Sequence, residues 1–520
     1  MKTINIITQL LFLTIFMGCV DDKTVHDFKA LNEVSINGLQ DKYSVMLYGY
    51  LKPEFSVSTS LNDESDLSYL WYAYTPTSRN EADTLGQTKN LNVLIEPSLL
   101  TPGEDYTLVF KVTDKKTGVH YRKEMKLEVT TQFTKGTVLL CEENGEARIN
   151  FIQDNTEKTV LTNVYTEANK ELAGRNPVRI FSVNPNKFAP FLKQELIFCN
   201  DANGGMIASP LSFEKIKPIR DAFDVTPATS ILCPEFYYKS SQIDYIIVNG
   251  IVHRRGINMK AINWEPGLVL INEQAEYSAA PDALAIVSGK PIFFDQLHNR
   301  LIYHGTWNKG SLSTLPKDES DPGHFDCDRL GENLKLKCWG TLSEPKMAGW
   351  MLLEDVEEHK HYLYKFSFLG AKFKSLSKIE IKDIVAPNLK NAIGFGANDK
   401  YKDVFMYATE DGVYSFAANQ LTTATASSLE VLQKDMKQEK MKVTGIKFTD
   451  ITVAAPTDQN PAATKISQQI RLAVQDLVLT EKRGGVVFYE VNSTGGTHLE
   501  FLFKKTGFCE KVIDIDEKYN

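Results

Sequence analysis

The residues able to do chemistry are scattered, and no spacing among them defines a reaction. The chain holds no HExxH zinc helix, no GxSxG nucleophile elbow, no GxxxxGK[ST] phosphate loop and no GxGxxG turn after a strand. A glycosidase can draw its two carboxylates from distant strands, and 66 acidic residues leave such a pair unassigned. An acidic loop runs Asp318-Glu319-Ser320-Asp321, followed by Asp326 and Asp328. Its hard oxygens suit Ca²⁺, but the EF-hand spacing and glycine are missing, so a solvated loop is the simpler reading. His359 and His361 would share one side of a strand. No third ligand accompanies them, and a surface turn is the better reading. No metal and no cofactor are therefore expected. The remaining candidates are aromatic. Trp264, Trp307 and Trp339 could stack on a sugar ring or a peptide side chain, and the last two have glycine neighbours. The opposing reading is that such rings fill spaces between strands, as expected for Trp350.

The seven cysteines include Cys19 and no CxxC pair, which excludes a zinc ribbon or a disulfide scaffold. Cys327 and Cys338 are close enough in sequence for a loop-closing disulfide; buried free thiols are the equal alternative. The net charge of −8 argues against a nucleic-acid partner.

Residues 1–18 carry Lys2, then a mostly apolar run from Ile6 to Met17, then Gly18 before Cys19. The run has signal-peptide length and is short for a membrane span. A small residue before cysteine resembles a bacterial lipobox. The resemblance implies cleavage before Cys19 and lipidation of its thiol, hence an outer-membrane lipid anchor. Asp21 and Asp22 follow directly and resemble the export signal that sends Bacteroidetes lipoproteins to the cell exterior. Asp83-Thr84-Leu85 resembles the O-glycosylation motif of the same phylum, which would modify Thr84.

The rest of the chain reads as strands. Tyr106, Leu108, Phe110 and Val112 alternate with polar residues, as do Met125, Leu127 and Val129. This is period-2 patterning with one buried face. After a tether at 19–35, residues 36–132 are expected to form a small β-sandwich with Trp71 in its core. The order of a Trp strand, a Pro102-Gly103-x-x-Tyr106 turn and a long strand ending Val112-Thr113-Asp114 resembles PKD-like immunoglobulin-type domains. The WDFGDG-like loop is missing, which places the segment nearer the PKD-like family of Bacteroidetes lipoproteins.

From 133 to 520 short hairpins recur, among them Tyr245–Val248 and Ile251–His253 around Asn249-Gly250, a favoured type I′ pair. One open sheet would expose edges and accumulate twist. A β-propeller avoids both. At about 45–50 residues per blade the length fits seven or eight blades. Tandem β-sandwiches are the alternative. The final FLFKKTGFCEKVIDID is expected to supply an outer strand or the ring closure, and 200–230 and 310–345 read as long excursions.

The fold class is thus all-β. Resemblance to PKD-like lipoproteins that accompany SusC/SusD-type transporters implies a non-enzymatic accessory role in binding a glycan or peptide nutrient, or in docking to the transporter. A surface hydrolase on a propeller is the rival reading.

Overall fold

The computed structural model describes residues 32–518, apart from 62, 77–81, 184–191, 240–242, 257–260, 272–275, 288–289, 306–309, 318–322, 343–344, 370–371, 383–385, 387, 398–403, 418–431, 455–463 and 493–497. Internal contacts divide the chain into two compact units, Met1–Thr130 and Thr131–Asn520. Among the described residues the only α-helix is the short segment Val164–Asn169.

The first unit is a β-sandwich. Its larger sheet has five strands in the order Lys42–Met46, His120–Thr130, Asp105–Asp114, Leu67–Tyr74 and Asp83–Gly86. Val34–Asn37 pairs with Ser56–Thr59, and Tyr50–Leu51 with Val93–Leu94. The alternation seen in sequence is realised in the core, where Tyr106, Leu108, Phe110 and Val112 are buried with Met125, Leu127 and Val129. Trp71 is fully buried. Its ring stacks on Phe110 at 4.3 Å between centroids, and its indole N–H donates to the Lys89 carbonyl at 3.2 Å. The Pro-Gly-x-x-Tyr turn has a physical purpose. Gly103 takes φ +73°, open to glycine at little cost, and the Tyr106 hydroxyl accepts the Thr101 amide at 2.8 Å.

The second unit is a β-propeller. Its described residues form seven sheets, one per blade. From the inner strand outward, blade I consists of Lys511–Lys518, Gly136–Glu143, Glu146–Gln153 and Val160–Leu161. The inner strands of the following blades are Pro177–Val183, Pro234–Lys239, Leu284–Val287, Leu334–Thr341, Gly394–Ala397 and Met441–Ala454. The turn residues chosen by the sequence explain the hairpins. Asn144 and Gly145 have φ of 54° and 76°, and Asn249 and Gly250 of 51° and 73°. Both central residues must take positive φ in a type I′ turn.

The C-terminal segment does both things expected of it. His498–Cys509 is the outer strand of blade VII, and Lys511–Lys518 crosses to become the inner strand of blade I. Blade I is therefore built from both ends of the unit, and the ring has no free first or last strand. The reading of 200–230 and 310–345 as excursions is corrected. They contain the blade strands Gly205–Ala208, Lys215–Pro218, Ser311–Thr314 and Leu334–Thr341. The first of these is buried at every residue and so lacks alternation.

Candidate functional site: the central cavity of the propeller

The inner strands surround a cavity of about 590 Å³. Its wall draws on blade I (Ile513 to Ile515), blade II (Val178, Arg179, Phe181), blade III (Phe236), blade V (Lys335 to Cys338), blade VI (Gly394 to Gly396) and blade VII (Thr444 to Phe448), with Asp282 just before the inner strand of blade IV. Cationic and aromatic groups alternate around it. The Arg179 guanidinium lies 5.7 Å from the Phe236 ring centre, and the Lys337 ammonium 5.8 Å from that of Phe395. Lys337 also pairs with Glu354 at 2.9 Å.

An inner strand has one edge that no strand of its own blade can pair, so its amides need other acceptors. Blade I supplies them. Asp514 Oδ2 accepts the Ile180 amide at 3.0 Å, and Asp516 Oδ2 accepts the Ser182 amide at 2.7 Å. From the other side, Lys447 of blade VII reaches Asp516 Oδ1 at 2.8 Å and Asp514 Oδ1 at 4.0 Å. Burial pulls the Lys447 ammonium down, but the two aspartates outweigh it and hold its pKa above the usual lysine range. Below them, Glu517 accepts from Thr137 Oγ1 at 2.7 Å and pairs with the buried Arg471 at 2.5 Å. Lys518 pairs with Glu195 at 3.3 Å, donates to the Pro210 carbonyl and stands 4.4 Å from the Phe213 ring centre.

Asp282 is the cavity's other carboxylate. Burial pushes its pKa up, while Arg179 and the Ala283 amide, donating at 2.8 Å, pull against that rise. Asp514 is bound to an amide and a lysine, so the two do not form an equivalent pair of acids.

The tryptophan expectations need correction. Trp264 is fully buried between blades II and III, against Phe223 at 5.7 Å and beneath the Arg255 guanidinium at 4.5 Å. Arg255 itself is buried and pairs with Asp244 at 2.9 Å. Trp339 is buried in the cluster between blades IV and V. Neither ring can stack on a ligand. Trp350 fills the core as expected. Trp307 lies outside the described residues, as do Cys19, Asp21, Asp22 and Asp318 to Asp321.

The Cys327–Cys338 disulfide is also corrected: both thiols are free and buried. They belong to different apolar clusters and point at different carbonyls, Cys327 at Leu315 and Cys338 at Trp339. Asp326, Cys327 and Asp328 do approach one another. A cation already joins them, because the Lys317 ammonium contacts Asp326 at 2.7 Å and Asp328 at 2.6 Å. His359 and His361 do not share a face. His359 sits exposed in the turn at φ 54°, and His361 is buried in the strand. Thr84 is exposed on the edge strand Asp83–Gly86.

The cavity went unseen in sequence because its charged residues are spread over four inner strands and the residues just before a fifth. The one local sign was the run Asp514-Ile515-Asp516, where charges alternate on a strand that should be central.

Residues 19–177 match the PKD-like family. The match runs through the sandwich and on to the first residue of the inner strand of blade II. No curated protein matches the chain. Among solved structures, a quinonprotein alcohol dehydrogenase-like protein from Bacteroides thetaiotaomicron is 11% identical, with 94% of this chain and all of that one (100%) covered at a TM-score of 0.39. A protein from Lactobacillus plantarum is 12% identical, with 74% and 99% covered at 0.43.

Proposed function

We propose that this chain is a cell-surface lipoprotein that binds a nutrient without turning it over, as an accessory component of a SusC/SusD-type uptake system. The observation that carries the binding reading is the central cavity. It presents cations beside aromatic rings, while Asp514 and Asp516 are occupied in joining blades. Charged groups fixed beside aromatic rings orient a ligand, and glycan or peptide chemistry suits aromatic faces flanked by charge. The lipobox-like Gly18-Cys19, the acidic Asp21-Asp22 and the PKD-like match support the surface assignment. An exposed Thr84 supports O-glycosylation there.

The test is a glycan and peptide array probed with the wild type and with Arg179→Ala. Binding by the wild type that falls at least tenfold in the variant supports the cavity. Equal binding by both removes it. The hydrolase reading keeps one observation, the raised pKa of Asp282. Turnover of any array ligand that stops in Asp282→Asn would favour it.

A further inference from the structure

Among the described cysteines, Cys141 and Cys509 are neighbours although they are the pair most distant in sequence. Cys141 lies in the strand Gly136–Glu143 of blade I, and Cys509 ends the outer strand of blade VII. Between Cys509 and the inner strand of blade I stands only Glu510, whose carboxylate accepts the Asn144 amide at 3.1 Å. Val512 then pairs with Cys141, and Lys511 with Glu142. The register therefore brings the chain back past Cys141 just after Cys509. The two residues share one buried cluster with Leu139, Val486 and Val512. Their thiols are immediate neighbours, and each is free. The backbone also makes room for sulfur. A Cβ on Gly484 would lie 2.6 Å from Cys509 Sγ, so only glycine lets that thiol sit where it does.

We propose that Cys141 and Cys509 are a disulfide site that locks blade I to blade VII covalently. The oxidant is a disulfide-bearing exchange partner, either a small-molecule disulfide or an oxidoreductase. One cysteine thiolate attacks a sulfur of that disulfide and expels the other sulfur as a thiolate. The second cysteine then attacks the mixed disulfide and expels the remaining sulfur. The two cysteine thiols lose two electrons and two protons, and the oxidant's disulfide becomes two thiols. Both cysteines are buried, so the exchange takes place during folding, before the seam closes. The bond would span the whole ring, where a crosslink most restricts the unfolded chain. In cells this rests on export to a compartment that tolerates disulfides.

The test uses the full chain without its first eighteen residues, reduced, unfolded and refolded in a glutathione redox buffer. Free thiols are then alkylated in denaturant and peptides mapped by mass spectrometry. The expected result is one linked pair of peptides, containing Cys141 and Cys509. Unfolding should be about tenfold or more slower than for the reduced protein. Cys509→Ala should abolish both effects, and Cys327→Ala neither. Refolded protein with Cys141 and Cys509 both alkylated, or linked elsewhere, overturns the proposal. The same map on protein isolated from outer membranes separates the two ideas. Linkage in the redox buffer with free thiols in cells would overturn export to an oxidising compartment and leave the site standing.

Discussion

Asp516 accepts the backbone amide of Ser182 at 2.7 Å and, through its other oxygen, the Lys447 ammonium at 2.8 Å. One carboxylate thus ties blade I to blade II on one side and to blade VII on the other. Asp516→Ala should cost about 1–3 kcal/mol, because it strips the acceptor from a part-buried amide and a part-buried ammonium together. Asp516→Asn keeps an acceptor for the amide and should cost less. Equilibrium denaturation of the propeller's transition checks the order. Equal stability of Asp516→Ala and wild type would show that the clasp contributes nothing.

Arg255→Ala should be among the most damaging single changes. It leaves the Asp244 carboxylate buried without its partner and uncovers Trp264. The expected loss is about 3–5 kcal/mol. Joint replacement, Arg255→Met with Asp244→Leu, should recover most of it, since no buried charge remains. Thermal melts of the single and double variants decide this.

Trp71→Ala should loosen the sandwich by about 3–5 kcal/mol, the usual cost of emptying a large aromatic site. Hydrogen exchange should speed up in Leu67–Tyr74 and Asp105–Asp114, while the propeller strands keep their protection.

Asp282 gives the stability a pH signature. Burial raises its folded pKa, so the stability it contributes is complete below the unfolded value of about 4 and is lost as pH rises through the folded value. Asp282→Asn should remove that loss. The variant should gain on the wild type as pH rises from about 4 to 7. Parallel denaturant curves at the two ends of that range measure the gain.

How far the sequence carried this reading varied with the kind of residue. Exposed-face alternation identified Tyr106–Val112 and Met125–Val129, and Asn-Gly pairs identified turns, because both signals are local. Gly205–Ala208 escaped because full burial erases alternation. The buried tryptophans misled because glycine beside Trp339 reads as a loop. In the fold, Gly340 instead makes room for Trp350, whose ring atoms would lie 2.8 Å from a Cβ there. Cysteine proximity in sequence pointed to Cys327 and Cys338. Only ring closure, a long-range property, puts Cys141 beside Cys509.

The proposed lipid anchor makes its own prediction. Cys19→Ala should move the protein from the detergent-rich to the aqueous phase on Triton X-114 partition and abolish labelling with a fatty-acid analogue. Retention of the label would place the lipid elsewhere.

The most direct test of the proposed surface uptake role is affinity purification of the tagged protein from intact outer membranes, followed by mass spectrometry. Recovery of a SusC-type channel and a SusD-type lipoprotein, lost when Cys19→Ala releases the protein from the membrane, is the predicted result. Quantitative recovery of the membrane-bound protein without any transporter component would contradict it.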